Sequence, residues 1–76
     1  MNPNQEQIII DLVRRINLKH GGTTPQMVTP RLKAMGFDDP GRELRRLVDK
    51  DKLVRYETGV YYAKNTQYAQ GLGRYL

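Results

Sequence analysis

Only four residues separate two segments that both carry helix signals, and this short spacing limits the folds open to the chain. The connection consists of Gly36, Phe37, Asp38 and Asp39. Asp39 is suited to accept hydrogen bonds from the first turn of a following helix, and Pro40 fits the first helical position. A tight turn with glycine between two short helices is the helix-turn-helix arrangement. We therefore predict a helix-turn-helix whose second helix covers about residues 40–50.

The helix predicted at residues 40–50 combines an apolar stripe with a basic face. Leu44, Leu47 and Val48 follow the i, i+3, i+4 spacing of a buried face. The basic residues that lie off this stripe or at its end are Arg42, Arg45, Arg46 and Lys50. A helix that presents arginines outward suits a DNA major groove, and the alternative is an ordinary solvated basic face. Asp49 lies one turn from Arg45 and Arg46, so we expect an ion pair with one of them.

A long helix is predicted near the N-terminus, over about residues 5–19. Its apolar residues at helical spacing are Ile9, Leu12, Val13 and Ile16, and Ile8 widens the stripe. Ile10 falls near the opposite face, where it is expected to pack against another element or a partner. Gly21 and Gly22 end the helix.

The helix before the turn is predicted over about residues 25–35. Thr24 serves as its N-cap, and Pro25 occupies the first helical position. Pro30 removes one backbone hydrogen bond and disfavours helical geometry at Thr29. We expect a helix that is irregular near these two residues. The segment 22–24 just before it is expected to add at most a short β-bridge.

The chain between residues 53 and 64 predicts a β-hairpin with Thr58 and Gly59 at its turn. Pairing across this turn sets Tyr56 opposite Tyr61, Val54 opposite Ala63, Arg55 opposite Tyr62, Glu57 opposite Val60 and Leu53 opposite Lys64. The first two pairs form an apolar face and the others a mostly polar face. Leu53 is expected to reach the core from the corner between helix and strand.

The order of helix, helix, turn, basic helix and hairpin resembles the winged helix-turn-helix DNA-binding domains. The resemblance covers about residues 5–64 and rests on stretches 24–37, 43–48, 52–55 and 59–62. It implies a mainly α fold with a small β-hairpin (α+β), with the third helix in the major groove and the hairpin, or wing, against the backbone or minor groove. The sequence departs from the pattern at Pro30 and at the short wing tip, where Glu57 weakens the grip on phosphate.

The leading hypothesis is sequence-specific binding of double-stranded DNA by a small transcriptional or replication-control protein. The residues assigned to DNA are Arg42, Arg45, Arg46, Lys50, Arg55, Lys64, Thr24, Gln26 and Tyr62. The arginines approach base edges or flanking phosphates, with Arg42 and Arg46 favoured over Arg45. The lysines, Arg55 and the start of the second helix hold phosphates, and Tyr62 offers a ring for stacking on a sugar or base.

The composition limits the other classes of function. Thirteen Lys and Arg residues against eight Asp and Glu residues give a formal net charge of +5, which favours a polyanionic partner. The chain has no cysteine, no serine and a single histidine, so we expect neither an enzyme, nor a metal or cofactor site, nor a small-molecule substrate. It lacks a membrane-length apolar run and a signal-peptide pattern, so we expect a cytoplasmic protein, nucleoid-associated in a bacterium, archaeon or virus.

Two alternative functions and the role of the C-terminal tail stay open. Winged helices also occur as protein–protein interaction modules, and a basic helix can also bind structured RNA, including ribosomal RNA. In the tail, residues 65–76, the apolar spacing of Tyr68, Leu72, Tyr75 and Leu76 suits a short helix, whereas Gly71 and Gly73 oppose it. The tail is expected to pack on the first helix, to mediate a homodimer, or to fray.

Overall fold

Three helices followed by a two-stranded antiparallel hairpin make up the computed structural model, which describes residues 3–56 and 59–63. The helices are α1 (Pro3–His20), α2 (Pro25–Ala34) and α3 (Pro40–Asp49), and the strands are β1 (Leu53–Arg55) and β2 (Tyr61–Ala63). The predicted α+β layout of three helices and a hairpin is confirmed. The predictions for Lys64 and for the tail lie outside the described residues.

The core side of α1 is rotated relative to the predicted stripe. Ile9, Val13 and Ile16 are buried as predicted, and Ile10 is also buried. Ile8, by contrast, is 46% exposed, so the prediction that it widens the buried stripe is wrong. The reason is that α1 packs against β2 as well as α2, which shifts its buried face toward Ile10.

Helix α2 runs through Pro30 without interruption, so the irregularity predicted at Thr29 and Pro30 does not break it. Pro30 has no backbone N–H, so one helix carbonyl lacks its hydrogen-bond donor. Because Pro30 is exposed, water can donate to that carbonyl instead. The helix ends in a Schellman motif, because the Gly36 amide donates to the Lys33 carbonyl and the Phe37 amide to the Leu32 carbonyl. This motif reverses the chain and brings half-buried Phe37 onto the core before α3 begins.

Helix α3 is fixed at both ends by its own sequence. The Asp39 carboxylate accepts a hydrogen bond from the Arg42 amide at 3.3 Å, which confirms the predicted N-cap. At the other end the Lys52 amide donates to the Leu47 carbonyl at 2.9 Å, and Asp51 takes a left-handed conformation with φ of 65°. This second Schellman-type end turns the chain directly into β1.

The hairpin pairs one residue out of the predicted register. The observed pairs are Leu53 with Ala63, Val54 with Tyr62 and Arg55 with Tyr61. The Tyr56 amide also bonds the Val60 carbonyl at 3.0 Å, so three residues rather than two separate the paired positions. Gly59, with φ of 81°, supplies the left-handed residue that a three-residue hairpin loop needs.

The change of register moves the β1 side chains to the opposite face relative to those of β2, because side chains alternate along a strand. Leu53, Tyr61 and Ala63 face the core, whereas Val54 and Tyr62 lie on the other face. The predicted apolar face of Val54, Tyr56, Tyr61 and Ala63 is therefore wrong. Arg55 now shares the face of Tyr61, at the end of the strand, where its side chain is exposed.

A short bridge joins the α1–α2 connection to the hairpin, as predicted for residues 22–24. Thr23 and Tyr61 exchange two backbone hydrogen bonds of 3.2 and 2.7 Å. Beside this bridge the fully buried Asn17 amide extends the strand edge. Its nitrogen donates to Thr23 Oγ1 at 2.6 Å and to the Tyr61 carbonyl at 3.0 Å, and its oxygen accepts from the Ala63 amide at 3.0 Å. One helix side chain thus holds β2 in place against α1.

Gly22 allows the hairpin to approach this connection closely, and its replacement by alanine is expected to destabilise the protein. A Cβ at this position would lie 2.8 Å from Val60 Cγ1 and 3.0 Å from the Tyr62 hydroxyl oxygen. We expect Gly22→Ala to lower the free energy of unfolding by about 1–3 kcal/mol, measured by urea denaturation.

Gly41→Ala is the matched control for this prediction. Its added Cβ would meet only Asp39 Oδ1, at 4.0 Å, so we expect a gain of about 0.5–1 kcal/mol from improved helix propensity. Equal effects of the two substitutions would contradict the steric explanation.

Candidate nucleic-acid interface

The start of α2, one side of α3 and the hairpin border a groove of about 520 Å³. Its lining residues are Pro25 and Thr29 of α2, Gly41, Leu44, Arg45, Val48 and Asp49 of α3, and Arg55 and Tyr61 of the hairpin. Three separate elements therefore contribute to one concave surface. The apolar residues form its floor, and the two arginines come from different elements.

The exposed side of α3 follows from its buried side. Leu44 and Leu47 are fully buried, which fixes the rotation of the helix against the core. Successive residues of an α-helix are rotated by about 100°, so Arg45 and Arg46 point about 100° apart and Arg42 points between them. The three arginines therefore spread over the side of α3 opposite its buried leucines. Arg45 lies on the edge that faces the groove.

Arg45 and Arg55 are exposed, and neither forms an ion pair with any residue in 3–56 or 59–63. The ion pair predicted between Asp49 and either Arg45 or Arg46 is absent from this described part of the chain, so that prediction is wrong. Asp49 lines the groove without holding an arginine. The guanidinium groups of Arg45 and Arg55 therefore keep their hydrogen-bond donors available to a ligand.

Arg42 and Arg46 occupy different surroundings from Arg45. Arg42 is exposed, but it lines a depression that is separate from the groove. The other residues that line this depression are Gln5, Gly36, Phe37, Asp38, Asp39 and Glu43. One oxygen of Glu43 is buried there without a hydrogen-bond partner in the described structure. Three carboxylate side chains line the same depression as Arg42, which makes that depression less favourable to a phosphate than the groove. Arg46 is half-buried. Of the three arginines of α3, Arg45 alone lines the groove.

The start of α2 contributes polar groups near the same groove. Thr24 is half-buried and makes no side-chain capping hydrogen bond, and Gln26 is exposed. Neither residue lines the groove, whereas Thr29 does. Sequence reasoning missed Thr29 and Gly41. The available signal for Thr29 was its spacing of four residues from Pro25, which places both on one side of a helix.

Tyr62 does not offer an exposed ring for nucleic acid, so its assignment as a stacking residue is corrected. Its side chain is 8% exposed, and its ring meets Tyr56 edge to face with centroids 5.1 Å apart. Its hydroxyl donates to the Gly21 carbonyl at 2.9 Å. Burial raises the pKa of this hydroxyl, and the neighbouring Tyr56 raises it further. Tyr62 lies on the predicted face of β2, but the register change places Tyr56 on that same face, and the Tyr62 hydroxyl reaches the α1–α2 connection, so its ring is covered.

Lys50 is engaged by an acidic residue of α1 rather than presented freely to phosphate. Its ammonium group donates to Glu6 Oε2 at 2.5 Å, and Lys52 lies 3.5 Å from Glu6 Oε1. The Glu6 side chain is 7% exposed. The hydrogen bond from Lys50 lowers the pKa of Glu6, although partial burial opposes this effect. These three residues connect the start of α1 to the end of α3.

The Glu6–Lys50 contact predicts a stability difference that depends on pH. A carboxyl group with a lowered pKa in the folded state stabilises that state above its unfolded pKa, and the effect is lost as pH falls through the folded pKa. We expect Glu6→Gln to be less stable than the wild type at neutral pH, with the difference shrinking below about pH 4.5. Urea denaturation between about pH 7 and pH 3 measures it. A difference that stays constant across this range would contradict the assignment.

Neither a candidate metal site nor a membrane-spanning helix is found among the described residues. No group of three or more metal-ligating side chains occurs within residues 3–56 and 59–63. None of the three helices is long and apolar enough to cross a membrane. Comparison with protein-family models, with curated proteins and with solved structures finds no match to this chain.

Proposed function

We propose that the protein binds double-stranded DNA as a small winged helix-turn-helix protein acting in transcription or replication control. The observation that carries this proposal is the pair of exposed arginines, Arg45 on α3 and Arg55 on β1, that border one groove without an ion-pair partner in the described residues. Two cations from separate elements on one concave face suit an extended polyanion better than a single small anion.

Helix α3 is the element that enters the major groove in this proposal. An α-helix with its side chains is about 10–12 Å in diameter, which fits a major groove about 12 Å wide. Arg45 lies on its exposed side, beside the groove, and reaches base edges or adjacent phosphates. The core residues behind α3, together with its capped ends, hold the helix in a fixed orientation. Such rigidity lowers the entropy lost on binding.

The flanking elements supply contacts to the DNA backbone. Arg55 sits on the hairpin at the opposite side of the groove from α3, at the position of a wing. Thr24 and Gln26 lie at the first turn of α2, where the helix dipole favours a phosphate, and Thr29 lies one turn further along the helix. These contacts set affinity and salt dependence, whereas base contacts set sequence preference. A module of this size buries little surface, so a homodimer on a two-fold site is the expected assembly.

The test is a binding titration of the wild-type protein with random-sequence duplex DNA at about 50 and about 200 mM salt. We expect binding at low salt and a loss of affinity of about 10- to 100-fold at the higher salt. A duplex RNA of the same length is the matched competitor, because its narrow major groove excludes a helix. Equal competition by RNA would favour the structured-RNA alternative. Absence of binding to DNA at low salt would reject the proposal.

A further inference from the structure

A second groove, of about 150 Å³, lies between the C-terminal half of α1 and the outer side of α2. Its lining residues are Leu12, Arg15, Ile16, Lys19, His20 and Arg31. None of them lines the groove beside α3. Four of the six carry basic side chains and none is acidic, which makes this the more uniformly basic of the two grooves.

The basic side chains of this groove are accessible. Arg15, Lys19, His20 and Arg31 are all exposed, and none of them forms an ion pair with a residue in the described ranges. Arg15 and Lys19 are four residues apart on α1, so they are neighbours on the helix surface. The neighbouring Arg14 differs, because it pairs with Asp11 at 3.3 Å. An anion that binds in this groove therefore disrupts no ion pair among the described residues.

The shape of the groove favours recognition by charge over recognition by apolar contact. Its apolar residues, Leu12 and Ile16, are only 5% and 2% exposed, so they offer no open pocket to an anchoring side chain. An acidic protein segment normally uses such anchors at the centre of its interface. A phosphate backbone needs only closely spaced cations. The groove thus fits nucleic acid better than a peptide.

The two grooves lie on opposite flanks of α2. Thr29 lines the groove beside α3, and Arg31 lines the second groove. Because these residues are two positions apart, their side chains point about 200° apart around the helix axis. A DNA duplex held by α3 therefore leaves the second groove open to another ligand.

We propose that the groove of Arg15, Lys19, His20 and Arg31 is a second phosphate-backbone site, through which one molecule holds two DNA duplexes together. This inference rests on the proposed function, because the first duplex is the one bound by α3. The second site reads no sequence, since none of its elements presents a helix face to base edges. Its contribution is an electrostatic contact that weakens with salt.

A two-duplex capture assay tests the bridge. One biotinylated duplex is fixed to beads, and the recovery of a second, fluorescent duplex is measured with wild type, with Arg15→Ala/Lys19→Ala and with Arg45→Ala/Arg55→Ala. Both double variants lose two positive charges, so each is the charge-matched control of the other. We expect Arg15→Ala/Lys19→Ala to bind a single duplex within about threefold of wild type but to recover about tenfold less of the second duplex.

The outcomes separate this inference from the proposed function. If wild type binds a single duplex but recovers no second duplex, the bridge is rejected and DNA binding stands. If wild type binds no duplex, both proposals fail. Undiminished bridging by Arg15→Ala/Lys19→Ala would also reject the second site, and would assign bridging to a dimer. An equal loss of single-duplex binding and bridging in that variant would place both grooves on one duplex, and this also rejects the bridge.

Discussion

Asn17→Leu is expected to lower the free energy of unfolding by about 2–4 kcal/mol, a large part of the stability of a domain of this size. The buried amide donates to Thr23 and to the Tyr61 carbonyl and accepts from the Ala63 amide. Leucine removes all of these hydrogen bonds. The Ala63 amide is then left buried, and a buried donor without its partner costs about 1–3 kcal/mol. Urea denaturation followed by circular dichroism measures the change.

A control on the same helix isolates the role of the amide. Asn4 is exposed on α1, so Asn4→Leu makes the same substitution without breaking a buried hydrogen-bond network. We expect it to change the free energy of unfolding by no more than about 0.5 kcal/mol. Asn17→Asp provides the second comparison, because a carboxylate still accepts from Ala63 but no longer donates to Tyr61. It should also be destabilising, since it buries a charge. Wild-type stability in Asn17→Leu would show that the hairpin does not depend on this contact.

The helices were predictable because their signals are local. Asp39 and Pro40 fix the start of α3, and Gly36 fixes the end of α2, through capping chemistry that involves only neighbouring residues. The observed ends agree with the predicted ones within two residues. The effect of Pro30 was overestimated. Helix α2 continues through this exposed proline, because tertiary packing holds both halves of the helix.

The hairpin register was not predictable from alternation alone. Two-residue and three-residue loops both leave plausible pairs, and the choice depends on what β2 packs against. Thr23 and Asn17 hold the edge of β2 from the side of α1, and they fix which of its residues face the core. Asn17 follows Ile9 and Val13 at intervals of four residues, so a polar residue on an apolar stripe was the signal that pointed to this network.

The structure places Arg45, and neither Arg42 nor Arg46, in the lining of the candidate groove. The sequence indicated the basic side of α3 but ranked Arg45 below Arg42 and Arg46. That ranking assumed an ion pair with Asp49, which the described structure lacks, and it did not foresee the carboxylates around Arg42. Arg55 entered the groove only because the register moved by one residue. Side-chain direction in a hairpin is thus a tertiary property.

Arg45→Ala/Arg55→Ala is expected to lower the affinity for duplex DNA by about 30- to 700-fold at low salt. Loss of a hydrogen bond between an arginine and DNA costs about 1–2 kcal/mol, so removal of two such contacts costs about 2–4 kcal/mol. The slope of log affinity against log salt should also fall by about 1 for each phosphate that the variant no longer neutralises. Fluorescence anisotropy at several salt concentrations measures both quantities. Both side chains are exposed, so circular dichroism should show an unchanged fold.

Two further variants decide which side chains produce this loss of affinity. Arg42→Ala/Arg46→Ala removes the same charge from α3 outside the groove, and we expect a smaller loss because carboxylates line the same depression as Arg42 and Arg46 is half-buried. A larger loss of affinity in that variant than in Arg45→Ala/Arg55→Ala would contradict the groove as the DNA site.

The charge-conserving variant Arg45→Lys/Arg55→Lys separates phosphate contact from base recognition. Lysine keeps the positive charge but lacks the fork that bonds both acceptors of a guanine. If Arg45 reads a base, affinity for random DNA stays near the wild-type value while preference among selected sequences falls. If both arginines contact only phosphate, the variant resembles wild type on every sequence, and α3 then takes its specificity from another residue. The comparison therefore separates base recognition by Arg45 from the contribution of its positive charge.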